Sequence, residues 1–501
     1  MVLQRDQPDP VWGRDTPGVT VTVTMAGQSK SAKADGAGKW RVTLDPMPAS
    51  KQPLSMTVKG SNTVEFKNVL VGEVWLCSGQ SNMVLPLNNV WNAEVEAATM
   101  KHPGLRLLAV PWVGTQEPQD DFAGSWKVCT PENALPFSAV ALFYGRYLHL
   151  ALDVPVGLVH NAVGGSPVEA WIDRKALEKD PQFSDVIADT IKTEWRATNS
   201  KWLAKYENDV VAFDKDMEAW QAEIQKNPDA DLPRPRHPKD PRDFMAGNQR
   251  PGNLFNGALH PLIGYGIRGV IWYQGEANVR DAVIYRKLFP KLITGWRELW
   301  QQGDFPFYWV QLPCFGEVPP EPDDSAWAEL REAQSMTLSL PHTGQCVTID
   351  IGEAADLHPR NKLDVAARLA RWALVNDYKL SMPFRSPELK EMKINENKIV
   401  LSFNFTGDGL LPDDLKGFAI CGEDRKWVNA SARVVPTDLV EVSSPEVPHP
   451  IAVRYGWADN PGVNFYTKDA LPVTPFRTDD FPFPSHRPNA GAANAPAPAA
   501  H

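Results

Sequence analysis

Cysteine is scarce in this 501-residue chain, and the few cysteines are not clustered. None of the five forms a C-x-x-C pair or stands near histidines at zinc-site spacing, which argues against a metal centre. An odd number of cysteines cannot pair completely, and Cys77 and Cys346 lie in apolar, strand-like runs. We therefore expect mostly buried thiols. The five are Cys77, Cys129, Cys314, Cys346 and Cys421.

Runs of basic residues and long apolar stretches are also missing. The formal net charge is −10, which argues against nucleic acid and anionic membranes as partners. No secretory signal or membrane span is visible, although the chain opens on the strand-like Met1-Val-Leu-Gln, as though a leader had been removed. We expect a periplasmic or secreted protein, and the sequence carries no signal for an oligomeric state.

Pattern and composition divide the chain into segments. With 43% hydrophobic residues, the chain can bury the cores of two or three domains. Alternating apolar residues between turns predict a β-module first, followed by an α/β domain with a largely parallel sheet and a polar helical insertion. Later short strands predict a β-sandwich or jelly-roll-like region, which could pack with the first module as one accessory domain. An Ala/Pro-rich tail follows it. The first β-module spans 1–70 and the α/β domain 71–380, with its insertion at about 173–252. The β-sandwich region spans 381–485 and the tail 486–501.

Within the α/β segment several elements can be placed individually. The patterns predict strands at Val156–His160 and Gly269–Tyr273 and a helix at Ala139–Leu152 with Ser138 as its N-cap. Ligands bind such sheets at the carboxyl ends of the strands, so the turns that follow these strands are the first places to look for chemistry.

A serine follows the most apolar of these strands. The run Val74-Trp-Leu-Cys77 leads into Ser78-Gly-Gln80, a turn-prone segment that would expose Ser81 at the end of a buried strand. The Gly-x-Ser-x-Gly pattern of the α/β-hydrolases is not met, because Met83 stands at the second glycine position. Ser81 therefore needs partners elsewhere in the chain.

Three later strand ends carry groups that could serve as partners. They are Gly164-Gly-Ser166, Gln274-Gly-Glu-Ala-Asn278 and Asp356-Leu-His358. Ester hydrolysis by serine needs a base to deprotonate the hydroxyl, an acid to orient the base, and N–H donors for the tetrahedral oxyanion. Together with Ser81, the three loops could supply every part.

In these motifs the chain resembles the SGNH hydrolase superfamily, and within it the sialate O-acetylesterase-like carbohydrate esterases. The resemblance rests on Cys77-Ser-Gly-Gln-Ser-Asn-Met83, Asn161-Ala-Val-Gly-Gly-Ser-Pro-Val-Glu-Ala-Trp171, Asn253-Leu-Phe-Asn-Gly-Ala-Leu-His-Pro261, Ile271-Trp-Tyr-Gln-Gly-Glu-Ala-Asn278 and Asp356-Leu-His-Pro359. It implies a flavodoxin-like three-layer α/β/α domain and a serine esterase that needs no metal or cofactor. The implied reaction is removal of O-acetyl groups from sugars.

The resemblance also assigns roles to residues. Ser81 would attack the acetyl carbonyl, His358 would act as its base, and Asp356 would orient the imidazole. The N–H groups of Ser81 and Gly165, with an amide from Asn278 or Gln274, would form the oxyanion hole. We predict that a further set lines the substrate pocket, namely Gln80, Asn82, Asn256 and Glu276.

Three of these assignments have alternatives in the sequence. The superfamily places its aspartate three residues before the histidine, whereas Asp356 stands two before His358. Glu353, Asp350 or a backbone carbonyl could take its place. His260 is a second candidate base, which we interpret as structural. Glu276 could also be a buried structural carboxylate that joins neighbouring loops, or the acid of a glycosidase.

The expected partner is an O-acetylated oligosaccharide or glycan. The family name points to O-acetyl sialic acid, whereas the lack of clustered basic residues favours neutral hemicellulose such as xylan or xyloglucan. A single arginine would nevertheless suffice to bind a sialate carboxylate. The contrasting hypothesis is a carbohydrate-binding or scaffold protein on an inactive esterase core, against which the retention of all four loops argues.

Overall fold

We describe the computed structural model of the chain over residues 1–436 and 438–482. The predicted Ala/Pro-rich tail at 486–501 lies outside the described residues. All five cysteines are free and buried, which confirms the expectation of buried thiols. None of the helices in the described ranges is both long and apolar enough to cross a membrane.

Strands alone form the first part of the chain. Alternation decides which faces are buried: Val21, Val23 and Met25 point into a small core together with Trp40 and Val42, while the residues between them are more exposed. The strands are β1 (Val2–Gln4), β2 (Asp9–Arg14), β3 (Thr20–Met25), β4 (Gln28–Lys33), β5 (Lys39–Leu44) and β6 (Ser50–Lys59).

The next strand, β7 (Thr63–Gly79), is 17 residues long and belongs to two parts of the fold. Its first half pairs antiparallel with β6, and its middle pairs in parallel with β1. Its second half is buried without alternation, as expected for a strand covered on both faces. The predicted segment boundary between residues 70 and 71 falls inside this strand, and the division into domains stays a prediction.

Beyond β7 the chain builds a sheet in the order β13-β12-β11-β7-β10-β8-β9, parallel except for β9. The strands are β8 (His102–Ala109), β9 (Lys127–Cys129), β10 (Val156–Ala162), β11 (Gly269–Tyr273), β12 (Phe307–Val310) and β13 (Thr343–Cys346). The helices are α1 (Ser81–Val84), α2 (Ala93–Thr99), α3 (Pro131–Ala134), α4 (Ala139–Leu152), α5 (Arg174–Glu178), α6 (Ser184–Thr198), α7 (Ser200–Lys226), α8 (Asp243–Ala246), α9 (Ala282–Trp300), α10 (Ala326–Met336) and α11 (Lys362–Asn376).

Successive side chains of the central strands serve opposite faces of this sheet. Val74 and Leu76 pack in the cluster that contains residues of α9 and α10, whereas Trp75 and Cys77 pack in the cluster that contains residues of α4 and α11. Three layers result, which confirms the predicted α/β/α fold class. Ser138 caps α4 by accepting a hydrogen bond from the Ala141 N–H at 3.2 Å, as the sequence predicts.

The insertion at about 173–252 contains α5 to α8. Its longest helix, α7, has 27 residues, and within the described structure none of them is buried. This polar helix lies on the surface, as predicted, and side chains along it contact neighbouring segments: Trp220 donates to the Leu232 carbonyl oxygen at 3.1 Å, and Phe213 packs against the His237 ring.

The last part of the chain is a β-sandwich. One sheet has the order β14-β15-β21-β20-β17, the other β19-β18-β22-β24, and a shared core fills the space between them. The strands are β14 (Glu388–Asn395), β15 (Lys398–Asn404), β16 (Leu410–Leu411), β17 (Asp414–Leu415), β18 (Phe418–Cys421), β19 (Trp427–Asn429), β20 (Ser431–Val435), β21 (Leu439–Ser443), β22 (Ala452–Tyr455), β23 (Tyr466–Thr467) and β24 (Phe476–Arg477). Joint packing of this sandwich with the first β-module stays a prediction.

A buried arginine fastens the sandwich to the α/β domain. The Arg331 guanidinium donates to the carbonyl oxygens of Leu312 and Pro313 on one side and of Ala458 and Asp459 on the other, at 2.7–2.9 Å. Because a buried guanidinium is costly unless its N–H groups are bonded, these contacts keep the two regions together.

Candidate active site

The backbone at the end of β7 is fixed by a close approach to β11. Gly79 has φ +139°, and a Cβ there would lie 2.1 Å from the Tyr273 carbonyl oxygen, so only glycine fits. The next N–H, of Gln80, donates to the same oxygen at 2.8 Å. Helix α1 then begins at Ser81, whose N–H, at the first helical position, has no acceptor within the helix.

Two other predicted loops leave the sheet at the same edge. In the register of the parallel strands, Ala162 at the end of β10 and Tyr273 at the end of β11 both stand beside Gly79. The Gly164-Gly165 turn and Gln274 therefore follow immediately beside Ser81. A Cβ on Gly164 would lie 3.7 Å from the Cβ of Ser81, so the two turns are in van der Waals reach.

The glycine turn is held from the insertion side by two amides that the sequence did not reveal. Asn248 donates to the Gly164 carbonyl oxygen at 2.6 Å, and Gln249 donates to the Gly165 carbonyl oxygen. Gly165 has φ +68°, a conformation that favours glycine. Two neighbouring amides at the end of a polar insertion were the available signal, but nothing local connects them to a turn about 84 residues earlier.

Asp356 lies next to the histidine, although it is not bonded to the ring. Its Oδ1 accepts the His358 backbone N–H at 2.8 Å and lies 3.6 Å from Nδ1, too far for a hydrogen bond. Both side chains are partly exposed. Burial, and the charge of Lys362 to a smaller degree, lower the pKa of His358, against the opposing effect of Asp356.

The rival acids are engaged elsewhere. Asp350 forms a bidentate ion pair with Arg368 at 2.7 Å. Glu353 accepts the backbone N–H of Arg360, also at 2.7 Å. Of the three carboxylates, Asp356 is the one that lies beside the imidazole, with Oδ1 3.6 Å from Nδ1.

Serine, histidine and aspartate open into one cavity. It has a volume of about 920 Å³, and Ser81, Asp356 and His358 are among the residues that line it. Phe315, whose N–H is bonded to the carbonyl oxygen of Asp459 in the sandwich region, forms part of the wall. The structure thus brings together the three residues to which the sequence assigns the catalytic roles, and the roles themselves stay predictions.

The two amides predicted for the oxyanion hole are buried and bonded to each other. Gln274 donates to the Asn278 Oδ1 at 2.7 Å and to the Ser166 carbonyl oxygen at 3.3 Å. Asn278 donates to Glu169 at 3.0 Å and lines a second cavity of about 530 Å³. Both amides therefore order the wall behind the glycine turn in this structure.

The four residues predicted to line the substrate pocket make contacts between loops. Gln80 accepts the N–H groups of Gly275 and Ala277, at 3.3 and 3.2 Å. Asn82 donates to Glu276 at 2.5 Å, and Asn256 donates to two carbonyl oxygens in the 115–116 segment. Their role in binding substrate stays a prediction.

Lys362 is the second site feature that sequence reasoning did not identify. It is fully buried and donates to the Asn82 Oδ1 at 2.6 Å. The rival base, His260, bonds the Gln119 carbonyl oxygen through Nδ1 at 2.7 Å.

Known proteins are similar to this chain over most of its length. A family model described as "Carbohydrate esterase, sialic acid-specific acetylesterase" matches residues 71–203 and 254–372. Sialate O-acetylesterases of Rattus norvegicus and Mus musculus are 30% and 29% identical, over 95% of this chain and 92% of theirs. A solved structure of a carbohydrate acetylesterase from Xanthomonas citri is 36% identical, with a TM-score of 0.79, and covers 96% of this chain and 97% of its own.

Proposed function

This chain belongs to the carbohydrate esterase family of sialic acid-specific acetylesterases, and from that premise we propose that it hydrolyses O-acetyl esters of carbohydrates with Ser81 as the nucleophile. The observation that carries the proposal is the single cavity lined by Ser81, Asp356 and His358 at the carboxyl edge of the parallel sheet. The enzyme class is supported by relatives that are acetylesterases.

The proposed reaction has two halves. In the first, His358 takes the proton of Ser81 while Oγ attacks the acetyl carbonyl, and the sugar alcohol then leaves with that proton. In the second, water attacks acetyl-Ser81 with His358 again as base, which releases acetate. The lowered pKa of His358 supports this role because a neutral imidazole is needed to accept the proton.

The oxyanion of both tetrahedral intermediates needs preorganised donors. We assign this part to the N–H groups of Ser81 and Gly165. A side-chain amide from Gln274 or Asn278 would join them by exchanging one of its bonds in the wall for the oxyanion. The glycine turn beside Ser81 and its two bonded carbonyl groups support the assignment, because they fix the orientation of its peptides. One such donor contributes about 3–4 kcal/mol to lowering the barrier.

Two sugar classes follow from the relatives and from the composition of the chain. The curated relatives are named sialate O-acetylesterases. Arg360 lines the cavity and offers a guanidinium, the group that binds a carboxylate with two hydrogen bonds. This residue favours O-acetyl sialic acid, whereas the overall acidic chain favours a neutral hemicellulose.

A panel of substrates tests the proposal. Acetate release would be measured from O-acetylated sialic acid, acetylated xylan and xyloglucan oligosaccharides, with the Ser81→Ala variant as the blank. Release from at least one sugar, absent in the blank, is expected. If sialic acid is the substrate, Arg360→Gln should raise its KM about tenfold. Release of acetate from none of these sugars would overturn the carbohydrate assignment.

We place the protein in the periplasm or outside the cell, which fractionation of the native cells would check.

A comparison of carboxylate variants tests the orienting acid. Asp356→Asn keeps an oxygen for the backbone N–H of His358 but removes the negative charge near the ring Nδ1. We therefore expect kcat on p-nitrophenyl acetate to fall about 10²- to 10⁴-fold. Asp350→Asn breaks the pair with Arg368 and should lower Tm with kcat within about tenfold. A large loss in Glu353→Gln alone would show that Glu353 is the acid.

A further inference from the structure

Lys362 is a charged side chain in a place where charge is costly. It is the first residue of α11 and is 0% exposed. Transfer of an ammonium from water to a protein interior is unfavourable unless it is paired and bonded. Two contacts meet this need: Nζ donates to the Asn82 Oδ1 at 2.6 Å and lies 5.1 Å from the centre of the Tyr273 ring.

Asn82 passes this contact on to two other loops. It follows Ser81 directly, and its Nδ2 donates both to Glu276 Oε1 at 2.5 Å and to the Leu357 carbonyl oxygen at 3.1 Å. Leu357 is the residue immediately before His358. One buried amide therefore joins the serine turn, the loop after β11 and the histidine loop.

The two ends of this chain of contacts determine how the amide is oriented. A lysine ammonium can only donate, so it requires the oxygen of Asn82, and an ionised carboxylate can only accept, so Glu276 requires the nitrogen. Burial lowers the pKa of Lys362 to about 7, against the opposing charges of Glu276, Asp356 and Glu353. Burial also raises the pKa of Glu276. A neutral amine still donates an N–H, so the contact with Asn82 survives loss of the proton.

We propose that Lys362 is a positioning residue of the esterase: through Asn82 it holds the Ser81 turn against the histidine loop and sets Ser81 Oγ relative to His358. The inference rests on the proposed function, since Ser81 and His358 must be the reacting pair. Without Lys362, the Oδ1 of Asn82 loses its donor, and the amide is anchored from its Nδ2 side by Glu276 and the Leu357 carbonyl oxygen, so the distance between the serine turn and the histidine loop is less tightly held.

The test compares Lys362→Met, Glu276→Gln and the double variant. Each single change leaves a buried ionisable group without its counterpart, so both should lower Tm, whereas the double variant is neutral and should recover Tm. In Lys362→Met, kcat on p-nitrophenyl acetate should fall about 10²-fold with KM within about threefold. In the double variant kcat should stay low although Tm recovers. Lys201→Met on exposed α7 is the matched control, in which neither quantity should change.

Three outcomes would overturn the proposal. Recovery of kcat together with Tm in the double variant would show that Lys362 only neutralises Glu276. A Lys362→Met enzyme with kcat within threefold of wild type would show that it positions nothing. If Lys362→Met does not fold, Asn82→Ala tests the same link: a fall in kcat supports positioning, and a rise in KM alone contradicts it. Failure of the proposed function itself would be seen separately, as wild-type turnover that does not depend on Ser81.

Discussion

Replacing Ser81 with alanine is expected to lower the turnover of acetyl esters by about 10⁴- to 10⁶-fold, because the variant cannot form the acetyl-enzyme. The residue is partly exposed at the start of α1, so removal of its hydroxyl should cost less than about 1 kcal/mol of unfolding free energy. Steady-state release of p-nitrophenol from p-nitrophenyl acetate gives the rate, and thermal unfolding checks the fold.

A neighbouring serine provides the control for this change. Ser78 lies in β7 and donates its hydroxyl to the Asn161 carbonyl oxygen at 2.6 Å. Ser78→Ala should therefore lower Tm, since it removes a buried hydrogen bond, while turnover stays within about tenfold. More than a tenth of wild-type turnover in Ser81→Ala would mean that the nucleophile is another residue.

Loss of His358 should have the second largest effect. His358→Ala removes the base in both halves of the reaction, and kcat should fall about 10⁴-fold. In the wild-type enzyme kcat/KM should rise with pH as the imidazole loses its proton and should then level off. Because burial lowers the pKa of His358, the midpoint should lie below the ordinary histidine value of about 6.5.

The pH profile separates His358 from its rival. Stopped-flow or steady-state rates between about pH 4 and 9 would show the titration of the imidazole in the wild-type enzyme and its loss in His358→Ala. His260→Ala should keep both the rate, within about threefold, and the midpoint, because its ring is bonded to the Gln119 carbonyl oxygen. A titration that disappears in His260→Ala and persists in His358→Ala would reverse the two assignments.

Much of the fold could be predicted because local patterns agree with the final packing. Strand β11 has the predicted bounds Gly269–Tyr273, and α4 begins after its predicted cap. Strand β7 is the main difference. Its exposed residues at 63–68, which mix polar and apolar side chains, and its mostly apolar, buried residues from Val69 onward look like two elements, yet the backbone continues through both. Pairing with β6 on one half and β10 on the other joins them, and neither partner is visible locally.

The site shows a similar division. The meeting of Ser81 and His358 in one cavity could be predicted because each follows a predicted strand and has a distinct chemistry, while their roles and that of Gly165 stay predictions. The contact between Gln274 and Asn278 could not be predicted, since it depends on how the backbone folds within the loop after β11. Lys362 lies in the polar segment Arg360-Asn-Lys362, which is typical of an exposed helix start. Its burial results from packing against Tyr273 and Asn82, which lie far away in sequence.

The length of β7 also sets a limit on how this protein can be divided. The family match begins at residue 71, in the middle of that strand. A fragment that starts there would lose β1 and β6, the neighbours of β7. The buried carboxylate of Glu73 would lose its contacts with Arg5 and Gln4 and would keep its contact with Arg268. The strand that leads to Ser81 would then begin as a frayed, unpaired terminus. We therefore expect a fragment that begins at residue 71 to be less stable than the full chain, because the segment that the family model matches depends on the first β-module for its pairing.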